Sequence, residues 1–136
     1  MKFSRTVAYG VQATLGLAQA SGDRPVPCSQ LAADGKLPER FLLQILRTLV
    51  THGILQSTRG VEGGYRLSRS AAEISLLEII EAIDGPIVAT LEVNQPAASR
   101  YHARLAAVLG RVASLARREL GSVSLADLLG VKESEK

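Results

Sequence analysis

The stretch Arg59-Gly60-Val61-Glu62-Gly63-Gly64-Tyr65-Arg66-Leu67 sets three glycines and a tip arginine between two short β-type runs, Ile54–Ser57 and Tyr65–Leu67. Its chemistry is not bond-making. A hairpin tip this rich in glycine bends sharply, because glycine reaches backbone conformations that residues with a Cβ avoid. The arginine gives that tip a permanent cation, which can enter a groove of DNA. Glycine-rich hairpins also occur in proteins that bind no nucleic acid, so the elements before this one have to decide.

The other reactive residue types form no constellation. Cys28 is the only cysteine, so one chain can build neither a disulfide nor a thiolate-rich metal site. His52 and His102 lie far apart, with no metal-ligand spacing around either. No nucleophile–base pair and no cluster of carboxylates stands out, and Gly60, Gly63 and Gly64 fall within a hairpin rather than between a strand and a helix. These absences argue against an enzyme and against a bound cofactor or metal. Cys28 sits at the expected start of a short helix, where the N-terminal dipole would lower a thiol pKa and suit a redox switch. The alternative for Cys28 is an inert small residue near a cap.

At 136 residues the chain suits one domain and an appendage. It is 46% hydrophobic but only 4% aromatic, without tryptophan, so its core must be aliphatic. No apolar run is long enough to span a membrane, and Met1-Lys2-Phe3-Ser4-Arg5 lacks an apolar signal region, so a cytoplasmic protein is expected. Residues 1–70 hold nine Lys/Arg against four Asp/Glu, whereas residues 71–136 hold seven against nine. A basic first half beside a mildly acidic second half suits a nucleic-acid-binding module joined to a partner or sensor module.

The elements that must position the hairpin read as follows. Ser4 caps a helix to about Ala20, with Val7, Val11, Leu15 and Ala18 at helical spacing. Pro27-Cys28-Ser29 opens a short helix, and Asp34-Gly35-Lys36 forms the turn. The next helix starts at Pro38 and runs to about His52, where Gly53 stops it. Phe41, Leu42, Ile45, Leu46, Leu49 and Val50 make its apolar stripe, and Glu39, Arg40, Gln44, Arg47, Thr48 and Thr51 its polar face. Short helix, tight turn, longer helix and hairpin make a helix–turn–helix followed by a wing, in which the second helix enters the major groove. Ser75 caps a further helix ended by Gly85-Pro86, residues 87–96 read as a loop or linker, and a long helix covers about 97–120. On it Tyr101, Leu105, Val108, Val112 and Leu115 are spaced 4, 3, 4, 3, a seam suited to pairing with a second copy. Ser124 caps a last short helix over Leu125–Leu129.

The opening Lys2-Phe3-Ser4-Arg5 with Tyr9, the run Phe41–Leu46, the wing Arg59-Gly60-x-x-Gly63-Gly64-Tyr65-Arg66-Leu67 and Ile74–Ala82 together resemble the BadM/IscR/NsrR/CymR family of bacterial winged-helix transcription regulators, the Rrf-two family. The resemblance implies a mainly α fold with a small β-hairpin. It implies a winged helix-turn-helix DNA-binding domain over residues 1–86, a linker at 87–96, and a dimerisation helix with a short C-terminal helix over 97–136. The expected DNA-contacting residues are Lys2, Ser4, Arg5, Tyr9, Ser29, Glu39, Arg40, Gln44, Arg47, Arg59 and Gly60, with the 38–52 helix in the major groove and Arg59 in the minor groove. The expected function is that of a regulator, by default a repressor, acting as a homodimer on a palindromic operator. The alternative is a winged-helix module that binds protein and reads no DNA sequence.

Three departures from the family pattern shape these expectations. Iron–sulfur members carry three cysteines in the loop that here reads Ile87–Pro96 without one, so no cluster is expected. Val61-Glu62 replaces the usual Pro-Gly of the wing, and Leu43 stands where relatives often have a polar reader, so the operator should differ. For regulation two further readings stay open beside Cys28: a small effector of unknown identity between the first domain and the long helix, with loop 87–96 lining its pocket, or constitutive binding controlled by expression level.

Overall fold

Three serines set the frame, each at the head of a helix whose first amides would otherwise lack acceptors. In the computed structural model, which describes residues 2–20, 24–89 and 100–130, Ser4 Oγ accepts from Val7 N–H at 3.1 Å and starts α1, Arg5–Gln19. Ser75 and Ser124 form full capping boxes, with Glu78 and Asp127 reaching back to the cap amides. They start α4, Leu76–Asp84, and the last helix of the described residues, Leu125–Leu129. Between them lie α2 (Cys28–Gly35), α3 (Glu39–Thr51), β1 (Leu55–Thr58), β2 (Gly64–Leu67), a 3₁₀ turn at Ala71–Glu73, and α5 (Arg100–Gly121); Leu125–Leu129 is α6. The fold is thus mainly helical with one antiparallel hairpin, Leu55 opposite Leu67 and Thr58 opposite Gly64. No helix among the described residues is long and apolar enough to cross a membrane.

The α2–α3 turn differs from its sequence reading. Gly35 remains helical, and Lys36 takes the left-handed conformation that closes α2, with φ 53°. The Leu37 N–H then donates to Ala32 O at 2.8 Å, a bond that satisfies an orphan carbonyl and holds a conformation non-glycine residues seldom adopt. Gln12 Nε2 donates to the Gly35 carbonyl at 3.0 Å and ties this turn to α1.

The core lies where α1, α3 and α4 meet. Leu42, Ile45, Leu46 and Leu49 of α3 are buried, joined by Ala13 and Leu17 from α1, Ile54 and Leu55 from the hairpin base, and Ile74 and Ile79 around the start of α4. Phe41 does not join them: it is 62% exposed, against the expectation that it belongs to the apolar stripe. On a helix turning about 100° per residue it lies roughly 90° from the centre of the four buried positions. Leu125 is fully buried in the same core, so α6 packs with the N-terminal elements, on α1 and the 3₁₀ turn. Backbone bonds from Leu76 N–H to Val123 O and from Leu125 N–H to Ile74 O, 2.8 and 3.0 Å, set the starts of α4 and α6 side by side. The long α5 rests on α4 and buries only Ala113.

The hairpin is not free-standing. Val26 exchanges two backbone hydrogen bonds with Tyr65, 2.8 and 2.9 Å, so the segment entering α2 lies along the outer edge of β2. Gly64 makes this possible: φ is 153°, and a Cβ there would sit 2.4 Å from the Val26 carbonyl carbon and 2.7 Å from Pro27 N. Below the hairpin, Arg69 pairs with Glu78 at 2.6 Å. Burial would raise the Glu78 pKa, but hydrogen bonds from Arg69 and the Ser75 amide, the Arg69 charge and the Ser75 hydroxyl together hold it below its ordinary 4.5.

Two outcomes follow. Gly64→Ala is expected to destabilise the fold by about 1–3 kcal/mol in urea unfolding, through strain and the Val26 clash; an unchanged midpoint would show that the edge pairing is dispensable. A carboxylate whose folded pKa is depressed adds stability above its unfolded pKa and loses it as pH falls through the folded one. Stability should therefore decline as pH drops below about 4.5, with a shallower slope in Glu78→Gln. The contribution is modest because both side chains are more than a third exposed.

Candidate nucleic-acid interface

The exposed face of α3 is built by what the other face buries. With Leu42, Ile45, Leu46 and Leu49 turned inward, Glu39, Arg40, Gln44 and Arg47 are exposed. Thr48 and Thr51 donate their hydroxyls back to the carbonyls of Gln44 and Arg47, at 3.1 and 3.0 Å. That leaves Arg40, Gln44 and Arg47 as the outward donors of this face. His52 Nδ1 donates to Thr48 O at 2.9 Å and so helps close the helix end.

At the hairpin, Arg59 and Gly60 are exposed on the tip, with Val61 fully exposed beside them and Glu62 on the surface. Arg66 is held along the hairpin by its Nε, which donates to Gln56 Oε1 at 3.1 Å. Among the described residues the two ion pairs lie elsewhere, Arg69 with Glu78 and Arg117 with Glu81. The charges of Arg5, Arg40, Arg47 and Arg59 are therefore uncompensated by any ion pair among those residues. Like-signed charges kept solvated and unpaired make a surface suited to a polyanion.

The remaining expected contacts divide. Lys2, Arg5 and Ser29 are exposed. The Ser4 hydroxyl is already committed: it accepts from Val7 N–H and donates to the Asp84 carboxylate at 2.9 Å, joining the start of α1 to the end of α4. Tyr9 is half-buried and lines a cleft of about 500 Å³ between the first turns of α1 and α3, shared with Arg5, Pro38, Phe41, Gln44 and Ile83. Phe41 in this wall and the Ser4–Asp84 link escaped the sequence reading. The off-centre position of Phe41 on the helical wheel was the available signal for the first, and no local pattern announces a bond between residues eighty positions apart.

Cys28 is half-buried, with Sγ donating weakly to Glu39 O at 3.8 Å. Burial first, and the Glu39 carboxylate next, push its thiol pKa above the ordinary value. That is the opposite sign to the helix-dipole expectation and leaves less thiolate, not more. On α5, Tyr101, Leu105, Val108, Val112 and Leu115 are all 44% exposed or more, one apolar line along the side away from α4. The expected effector pocket relied on loop 87–96, most of which lies outside the described residues, as does any short β-like stretch there.

Comparison with known proteins agrees with this geometry. A family model described as "Rrf2: Iron-dependent Transcriptional regulator" matches residues 3–130. The HTH-type transcriptional regulator CymR of Bacillus subtilis is 30% identical over 138 aligned residues, covering 100% of this chain and 95% of that protein. An HTH-type regulator of Mycobacterium tuberculosis, MT1325, is 37% identical over 94 residues, 69% of this chain. The match spans 58% of that relative's length. Among solved structures, CymR (YrzC), the global cysteine regulator of B. subtilis, superposes with TM-score 0.77 at 27% identity, covering 98% of this chain and 99% of that one.

The iron in the family description has no matching donor set here. An iron–sulfur cluster takes several thiolates, and this chain offers the single Cys28 on α2. Among the described residues no three His, Cys, Asp or Glu side chains are grouped to hold a metal ion. With the family model matched over residues 3–130 and the fold shared with a solved relative over nearly its whole length, the chain belongs to the Rrf2 family of winged-helix transcriptional regulators.

Proposed function

We propose that this protein is a sequence-specific DNA-binding regulator, a repressor by default, that acts as a homodimer on a palindromic operator without an iron–sulfur cluster. The observation that carries the reading is the outward set Arg40, Gln44, Arg47 and Arg59 on α3 and at the hairpin tip, whose arginines have no ion-pair partner among the described residues. Arg and Gln each offer paired donors or a donor–acceptor pair that match base edges in the major groove. Arg59 at a narrow tip suits the minor groove, where phosphates on both sides concentrate negative potential. Arg5 and Lys2 at the start of α1 would contact backbone and fix register without reading sequence. The half-buried Tyr9 and the hydroxyl of Ser4, already engaged with Asp84, would contribute chiefly by shape.

The dimer part rests on α5. Five large side chains, each at least 44% exposed, recur at coiled-coil spacing on a helix that buries one alanine against its own domain. Water contact with that much aligned apolar surface is unfavourable, and a twin helix removes it symmetrically. Two copies of α3 would then read two half-sites about one helical turn or so apart. The alternative, a module that binds protein and reads no DNA sequence, is less well supported by three arginines without ion-pair partners on α3 and at the hairpin tip.

Two measurements test this. Arg59→Ala should keep the melting temperature and the dimer yet weaken operator binding about five- to hundredfold, roughly 1–3 kcal/mol, in a gel-shift titration. Unchanged affinity in the folded variant would remove Arg59 from the interface. Val108→Asp with Val112→Asp should elute as a monomer from a sizing column; a persisting dimer would move the interface off α5.

A further inference from the structure

Phe41 poses a physical question that the proposed reading does not answer. It is the third residue of α3, 62% exposed, and absent from the aliphatic core its neighbours Leu42 and Ile45 build. Its ring forms one wall of the 500 Å³ cleft together with Tyr9, Pro38 and Ile83, with Arg5 and Gln44 on the same lining. An apolar wall is thus set among donors and a cation, at the end of the helix that in helix–turn–helix proteins contacts base edges. On a surface facing a polyanion almost every group met is polar. The exception in the major groove is the C5-methyl of thymine, the one apolar handle a base pair presents there.

We infer that Phe41 is a specificity-determining residue that seats a thymine methyl, while Gln44, one turn further along α3, addresses the edge of a neighbouring base. The inference rests on α3 entering the major groove. Charge favours this occupant over an apolar protein segment: Arg5 on the cleft and Arg40 next in the chain stand without ion-pair partners among the described residues, and DNA satisfies both through phosphates while offering Phe41 its methyl. Sheltering one methyl from water corresponds to about a fourfold effect on affinity, ~0.8 kcal/mol.

The test uses the full-length dimer and unmodified duplexes first. A bound sequence is selected from a random library with the wild-type protein, and each thymine of the enriched site is then replaced singly by deoxyuridine, which lacks only the methyl. Expected are one or two positions per half-site where the replacement weakens wild-type binding about fourfold, and where Phe41→Ala shows no difference between thymine and deoxyuridine. Phe41→Leu, still apolar, should keep part of the discrimination. Methyl sensitivity that persists in Phe41→Ala, or its absence throughout the wild-type site, overturns the inference and leaves the operator reading standing. No enriched sequence at all overturns both. Loss of the dimer in Phe41→Ala on a sizing column would instead assign the ring to contact between copies, and overturns it as well.

Discussion

The constraint on which the helix–hairpin unit depends is the approach of Gly64 to the Val26–Pro27 backbone, a space no side chain can share. It joins two pieces that the chain order keeps apart. Val26 leads directly into α2 and thus into the helix–turn–helix, while Tyr65 belongs to the returning strand of the hairpin, and two backbone bonds lock them together. With Ile54 and Leu55 buried beneath α3, the hairpin is held from both sides. The base of the hairpin and α3 are therefore packed in one unit. In the proposed reading of two grooves, such packing limits the entropy lost when the hairpin makes its contacts.

The second organising fact is the division of labour on α3. Its inward residues are aliphatic and fully used, so its outward residues are free of structural duty apart from the two threonines that bond backward. The same separation applies to sensing. The chain shares its frame with regulators described as iron-dependent, yet supplies one thiol, half-buried and held toward its protonated form. Membership in the family carries the architecture across; a cluster held by several thiolates from one chain would need cysteines beyond the single Cys28.

Much of this was legible from residues alone, and what was not has physical causes. Ser4, Ser75 and Ser124 announced their helices because capping is a local interaction between a side chain and amides two or three residues on. The hairpin was legible because its glycines are. The α2–α3 turn falls at the end of the stretch Asp34-Gly35-Lys36 rather than on its glycine, because the closing bond from Leu37 to Ala32 favours the left-handed conformation at Lys36. Phe41 reads as part of the apolar stripe because hydrophobicity says nothing of direction, and a residue a quarter-turn off the buried positions can fall either way. The direction of the Cys28 shift turned on burial and on Glu39, eleven residues away, which a helix-dipole argument does not include. Long-range pairings such as Val26 with Tyr65, Ser4 with Asp84 and Ser75 with Ser124 leave no periodic trace at all.

The side-by-side starts of α4 and α6 carry a consequence for synthesis. Leu125 fills the centre of a core whose other members all precede residue 80, and its amide completes the backbone pairing at Ile74. A growing polypeptide therefore emerges from the ribosome with its helix–hairpin unit still missing a central plug, and acquires it only after α5 has been made. Domains generally settle as units during translation. Here the unit that carries the cationic surface closes after the long helix is already outside, so a half-made chain would not present the finished surface without the helix suited to pair it.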